Sequence, residues 1–499
     1  MLRKEDLVFS KETFAARRKK LMDQIGPGSI IIIPSSMPQK RNADNDHPFR
    51  QDSNFYYLTG FSEPQAVAIF IPGRKEGEYI LFNRVRDPHM ETFTGPRAGQ
   101  EGAVTEFGAN EAFDIALLEK KLYDLCDPDK EMKIYYPMGG CHTFFPADGG
   151  ASLEQIFNQV FRKRYDEILS RNAEPFTQLD PSKLIHQMRL IKEPMELAFM
   201  QNAIDISIQG HMRTLQATPY DKQNEMTLSG QFLNEIMHHD TQEVAYPNIV
   251  GAGNHSCTLH YQKNDSAIHD GDIVLIDSGA EYKNYASDIT RTFPINGKFT
   301  PAQRAIYDVV LETQQMCIDA VKPGVSLLDI HNLSIKGITA GLVKLGILKG
   351  DLDNLIKDKA FSAYYMHGVG HWLGMDVHDT SIITGKTPLQ PGMVITVEPG
   401  IYIAHPEELD PEWHEIGVRI EDDVLVTETG CTVMSAALPR KADEIECVMQ
   451  GWIPPAVAKL GYQRHGFFAG GVLGQHSQAE EKLVTEKLSG STAVVPRSF

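Results

Sequence analysis

The residues that could do chemistry lie in the second half of the chain, in two segments that can be laid over one another. Gly271-Asp-Ile-Val-Leu-Ile-Asp277-Ser-Gly279 matches Gly392-Met-Val-Ile-Thr-Val-Glu398-Pro-Gly400. A turn glycine, an apolar strand, a carboxylate and a second glycine recur at one constant offset. Each segment leads into another strand-like run that carries an acid: Asp288 in Ala286-Ser-Asp-Ile-Thr-Arg291, and Glu421 in Gly417-Val-Arg-Ile-Glu-Asp422. A lone strand acid is more often a turn former or an edge solubiliser. Four of them in two matched pairs predict a duplicated fold with a shared site, because carboxylates buried at strand ends need a common counter-charge. Divalent cations supply it, and two ions about 3.5–4 Å apart under bridging carboxylates can hold and activate a hydroxide.

A cluster of histidines strengthens that expectation. Met366-His367-Gly-Val-Gly-His371-Trp-Leu-Gly-Met-Asp-Val-His378-Asp379 packs three histidines beside three glycines. His367 and His371 have the spacing of a zinc-protease helix, but no Glu follows His367 and the glycines disfavour a helix. A loop bringing backbone close to a ligand is the better reading. His260, in Thr258-Leu-His-Tyr261, adds a fourth imidazole. An oxygen-rich set with one imidazole favours a hard ion such as Mn²⁺ over a thiolate zinc site.

The elements that must position these groups can be read from periodicity. Lys11 to Gln24 reads as a helix whose basic run, Arg17-Arg18-Lys19-Lys20, is expected to form a solvated face. Ser29–Pro34, Ala66–Ile71, Glu78–Asn83 and the run from Lys133 read as strands, and Ser152 to Lys163 as a helix. That alternation predicts an α/β domain with a mixed sheet, closing near the polar stretch Asn172–Pro181. A long helix then follows, with Leu197, Met200, Ile204, Ile208, Met212 and Leu215 as a core stripe. Pro301–Val321, capped by Thr300, and Ser326–Gly346 read as two more. Beyond Gly451 the prolines and glycines break any period, and only Ala479–Leu488 looks helical.

Composition bounds the partners. A chain of 499 residues with 42% hydrophobic and 23% charged residues is long enough for two to three domains of about 150 residues. No apolar run approaches the roughly 20 residues of a membrane span. The net charge of −18 works against nucleic-acid binding. The six cysteines are scattered with no CxxC pair, and the N-terminus lacks a signal core. A cytoplasmic, reducing compartment is expected.

Taken together, these motifs resemble the aminopeptidase P (Xaa-Pro aminopeptidase) group of the creatinase/methionine-aminopeptidase superfamily, the "pita-bread" fold. The stretch Arg50-Gln-Asp-Ser-Asn-Phe-Tyr-Tyr-Leu-Thr-Gly-Phe61 joins the resemblance in the first half. It implies an α/β (α+β) chain: a creatinase-like N-terminal domain over 5–175, a duplicated pita-bread catalytic domain over 184–448, and a loosely ordered C-terminal extension over 451–499. The family's metal ligands fall on Asp277, Asp288, His371, Glu398 and Glu421, implying two divalent ions with manganese favoured. Its substrate- and transition-state-contacting histidines fall on His260, His367 and His378, and Tyr402 and Arg419 match a pair behind the first aspartate. Phe93 lies where an aromatic loop on the substrate side is expected.

The implied reaction is removal of the N-terminal residue from Xaa-Pro-Yaa peptides by a hydroxide held between the two metals. Glu398 would relay the proton. His378 and His260 would face the oxyanion, and His367 the proline side. A homo-oligomer, dimer or tetramer, is also implied. Prolidase, a dipeptidase, is the chief alternative. It carries a longer insertion where this chain has only Thr380–Gln390, with Lys386 as its single cation. The first domain offers an aromatic wall (Phe55, Tyr56, Tyr57) rather than a carboxylate clamp. Methionine aminopeptidases lack such a first domain, creatinase has lost the ligands, and a catalytically silent peptide-binding relative fits poorly with five intact ones.

Overall fold

The computed structural model describes residues 8–126, 132–137, 153–171, 176–217, 223–239, 241 and 243–463. It divides into two units, one formed by Met1–Ile191 with Thr380–Thr384 and the other by Lys192–Asp379 with Gly385–Phe499.

The first unit is built on strands β1 (Ser29–Pro34), β2 (Val67–Phe70), β3 (Tyr79–Asn83), β4 (Glu111–Asp114), β5 (Lys133–Tyr135) and β6 (Thr177–Leu179). They form one sheet in the order β4-β3-β2-β1-β5-β6. The sheet is mixed, as expected: β1 runs antiparallel to β2 and parallel to β5. Ile30, Ile32, Val67, Ile69, Ile80 and Phe82 form a core with Phe157, Val160 and Phe161 of the helix Leu153–Ser170. Their two-residue spacing on the strands is the signature of a sheet face covered by helix.

Two expectations in this unit need correction. In helix α1 (Lys11–Ile25), Lys19 and Lys20 are exposed, but Arg17 and Arg18 are only 2% and 4% exposed. Arg17 stacks over the Tyr57 ring at 4.1 Å, and Arg18 donates to the Leu58 carbonyl at 2.9 Å. Arginine's flat, weakly hydrated head allows burial against aromatic faces and carbonyls. The aromatic wall is not a wall either. Phe55 and Tyr57 are core residues of the helix Ser53–Thr59, which turns that side inward; only Tyr56 is half-buried.

In the second unit the two matched segments become two strand pairs. Strand β7 (Ile249–Ala252) flanks β8 (Ile273–Asp277), which pairs antiparallel with β9 (Thr290–Pro294), placing Asp277 opposite Thr290. In the other half β10 (Val394–Val397) pairs antiparallel with a strand over Asp422–Val426, placing Val397 opposite Asp422. Asp277 is the last residue of β8 and Glu398 the first after β10, while Asp288 stands two residues before β9 and Glu421 one residue before the strand Asp422–Val426.

Helices surround these strands. Helix α2 (Pro194–Leu215) is buried along most of its length. Helices α3 (Pro301–Ala320) and α4 (Leu327–Lys344) each start with a reciprocal capping box, Thr300 with Gln303 and Ser326 with Asp329. The start of the C-terminal stretch is docked on α2: Gln216 donates to the Trp452 carbonyl at 3.2 Å, and Tyr462 reaches Gln216 at 3.1 Å. The helix expected at Ala479–Leu488 and residues 172–175 lie outside the described residues. No helix among the described residues is long and apolar enough to cross a membrane.

Candidate metal centre

Close backbone approaches bring the strand ends together. A Cβ on Gly279 would stand 1.9 Å from the Ser287 carbonyl oxygen, and one on Gly370 would stand 2.0 Å from that of Thr396. Only glycine fits at either place. At Gly370 the histidine loop is thereby laid against β10, where His371 N–H donates to Thr396 Oγ1 at 3.0 Å and Thr396 N–H donates to the His371 carbonyl at 3.0 Å.

Around that junction the acids converge. Ligand-capable atoms of Asp288, His371 and Glu421 all lie within 4.8 Å of one another. His371 Nε2 is 3.3 Å from Asp288 Oδ2 and 3.5 Å from Glu398 Oε1. Its Nδ1 faces the Trp372 carbonyl at 3.0 Å, which obliges Nδ1 to carry a proton and turns Nε2 to the carboxylates. Asp277 joins through Tyr246, whose hydroxyl lies 2.5 Å from Asp277 Oδ1 and 2.6 Å from Asp288 Oδ1. Thr290 Oγ1 donates to Glu421 at 2.6 Å, and Thr396 Oγ1 to Glu398 at 3.2 Å.

Behind Asp277 lies a directed chain of hydrogen bonds. Arg419 Nη2 donates to Asp277 Oδ2 at 2.6 Å, and its Nη1 donates to the Tyr402 hydroxyl at 3.0 Å. Tyr402 lies 2.8 Å from His367 Nε2, while His367 Nδ1 faces the Gly368 carbonyl at 2.8 Å. Nδ1 therefore holds the ring proton and Nε2 accepts from Tyr402. Burial, with the Arg419 charge nearby, brings the His367 pKa down to about 3, so the ring stays neutral. His378 stands beside the cluster, its ring edge-on to His371 at 4.5 Å between centroids, and burial next to His371 lowers its pKa too. His260 is exposed and near enough to His367 and His378 to interact electrostatically with both.

The electrostatics show a site with too much negative charge for its own donors. One phenol proton on Tyr246 serves two carboxylates. Burial, reinforced by Asp288, pushes Glu421 well above the carboxylate range. Burial raises Glu398 to about 7 despite the neighbouring His371. Burial also raises Asp277, although Arg419 opposes the shift. His371 is lifted to about 9: burial opposes this, but the bond to Asp288 and the charge of Glu398 outweigh it. A donor set of four crowded carboxylates and one imidazole with Nε2 free of backbone partners fits divalent cations.

The predicted site residues thus meet in one place, with His260 and His378 on its exposed side. Sequence reasoning missed Tyr246, Thr290 and Thr396. Thr290 and Thr396 each stand two residues from an acid of the matched segments, a signal that was in view. Tyr246 lies in no motif, and nothing local to it announces the role.

Two family models match the chain: metallopeptidase family M24 over residues 198–428, and the aminopeptidase P N-terminal domain over 14–135. The chain is 40% identical to the Xaa-Pro aminopeptidase of Escherichia coli over 444 residues, covering 88% of this chain and 98% of that protein. It is 37% identical to human Xaa-Pro aminopeptidase 3, covering 88% and 85%. Among solved structures, aminopeptidase PepP of Pseudomonas aeruginosa superposes with a TM-score of 0.82 at 42% identity, covering 89% of this chain and 99% of that one. The zinc-substituted E. coli aminopeptidase P in complex with product gives 0.82 at 39%, covering 89% and 98%. Converging strand-end acids in the second unit and matched relatives along both units lead to one conclusion: the chain belongs to the aminopeptidase P group of metallopeptidase family M24.

Proposed function

We propose that this chain is a metal-dependent aminopeptidase that releases the first residue of peptides with proline in second position. The observation that carries the reading is the convergence of Asp288, His371 and Glu421 within 4.8 Å, with Asp277 and Glu398 at the matched strand ends beside them. Asp277, Asp288, His371, Glu398 and Glu421 would hold two divalent ions, with manganese favoured by the oxygen-rich donor set. When bound, such ions polarise a carbonyl and acidify water near neutral pH.

The chain's own residues divide the remaining work. Glu398 is the most open of the four acids, and so the one the reacting groups can reach; it would take a proton from the water whose oxygen adds to the scissile carbonyl and return it to the nitrogen of the leaving amine as the C–N bond breaks. Asp277, clamped by Arg419, would orient the free amine of the first residue. His378, with His260, would donate to the developing oxyanion. His367 has both ring nitrogens engaged, so it would seat the proline side by its ring face rather than by a donated proton. A reducing, cytoplasmic setting belongs to the same reading, supported by five free cysteines among the described residues. So does a homo-oligomer, supported by Phe93, 73% exposed on a helix that buries none of its residues.

The test is steady-state kinetics with Mn²⁺ on matched Xaa-Pro and Xaa-Pro-Yaa peptides. The reading expects higher kcat/KM for the longer chain and no cleavage without a proline-like second residue. A strong dipeptide preference would make the enzyme a prolidase.

A further inference from the structure

Outside the metal cluster, one buried carboxyl group draws its four side-chain hydrogen bonds from a single loop. Glu225 opens the helix Glu225–Met237 and is fully buried. Its Oε1 accepts from Ala252 N–H at 3.0 Å and from His255 Nδ1 at 2.9 Å. Its Oε2 accepts from the Tyr261 hydroxyl at 3.0 Å and from Ser266 N–H at 2.9 Å. A carboxylate has about four lone-pair sites, and all four are taken. A buried carboxylate is tolerated only when so satisfied, but satisfaction alone does not require that every donor come from one loop. Here they do: Ala252 and His255 lie before His260, and Tyr261 and Ser266 after it.

The rest of the loop follows the same plan. Asn264, with a positive φ of 48°, accepts from Val250 N–H at 2.9 Å and donates to the Asn248 carbonyl at 2.8 Å, stitching the return arm to β7. His255 and Tyr261 stack at 4.3 Å between centroids. Leu259 and Tyr261 pack on the small core of Ile249, Leu275 and Tyr402, leaving His260 exposed between them. Thus the loop is tied at both shoulders, and its tip carries His260, the one histidine of the candidate site that lies outside the His367–His378 segment.

We infer that Glu225 is a positioning residue: by closing the Ala252–Ser266 loop on a single carboxylate, it fixes where His260 stands during peptide cleavage. The inference rests on the role proposed above for His260. Glu225→Gln keeps the shape but turns an amide N–H₂ towards donors, so one shoulder loosens while the metal-binding acids are untouched. Tyr261→Phe removes one of the four bonds, together with the longer contact of the same hydroxyl to Asp265 Oδ1 at 3.4 Å.

The experiment is a double-mutant cycle on the metal-loaded enzyme with an Xaa-Pro-Yaa tripeptide, together with bound-metal content and thermal melting of each variant. Glu225→Gln should lower kcat/KM on the order of 10-fold, and Tyr261→Phe less, with metal content unchanged; in a His260→Ala background both losses should shrink to less than about 2-fold. If His260→Ala is damaging and Glu225→Gln costs the same factor in both backgrounds, His260 keeps its role and the positioning inference fails. If His260→Ala leaves kcat/KM intact, the role of His260 falls, and the route by which Glu225 would act falls with it. Should Glu225→Gln fail to fold, the Tyr261→Phe cycle decides by the same comparison.

Discussion

Lys192 Nζ lies 3.1 Å from Asp379 Oδ2, and both side chains are 1% exposed. Lys192 precedes the long helix α2, and Asp379 follows His378, so the pair ties the end of the histidine loop to the start of that helix. Around it the loop closes tightly, with Asp379 N–H donating to the Trp372 carbonyl at 3.0 Å. Removing one partner of a buried ion pair takes the opposite charge away from the other, whereas replacing both can be nearly neutral. Lys192→Met should therefore destabilise the protein by about 3–5 kcal/mol, and Lys192→Met with Asp379→Leu should recover much of that loss. Urea unfolding of the three proteins checks this; a double variant no better than the single would show that packing, not the broken ion pair, is responsible.

Glu421→Ala should abolish metal binding and turnover while sparing the fold. Glu421 is fully buried and forced towards its protonated form by burial and by Asp288 and Glu398. Without metal, deleting it relieves that crowding, so the chelated variant should melt no lower than the chelated parent. Metal analysis and calorimetry read both outcomes. Normal metal content in the variant would refute the ligand assignment.

His378→Ala should lower kcat far more than it raises KM. A donor aimed at charge that develops only in the transition state acts mainly on kcat, and loss of one such donor costs about 10²–10³-fold. A near-normal kcat with a raised KM would make His378 a ground-state contact instead.

The stabilisation conferred by metal should grow with pH. In the metal-free protein Glu398 titrates at about 7, above its unfolded value of about 4.3. Between those values the native state holds more protons than the unfolded one, so metal-free stability falls as pH rises through that window. His371, raised to about 9, adds stability below its unfolded value of about 6.5 that is lost on the way to 9. Metal displaces these protons and removes both penalties. Unfolding free energies of loaded and chelated protein at pH 5, 7 and 9 should therefore diverge steadily; a constant gap would contradict the proton count.

What could be read from the sequence was local. Strand β1 falls on its apolar run, and α3 and α4 begin beside the capping residues that identify them. These features depend on side chains and backbone within a few residues of one another, so their signals lie side by side in the chain. The duplicated strand with its terminal acid is of the same kind, and with the histidine loop it named the four acids and the one imidazole of the candidate metal centre. The partners that hold those groups were decided only by the tertiary fold. Tyr246 reaches Asp277 and Asp288 across 31 and 42 residues. Arg291, fully buried, spends its guanidinium on the carbonyls of Thr290, Glu421, Leu438 and Pro439 and on Asp422. Arg17 and Arg18, polar by type, become core residues because aromatic rings and carbonyls some forty positions away cover them. No periodicity encodes such meetings. They arise when distant segments cross, and a buried polar group is then retained only if the crossing happens to satisfy it.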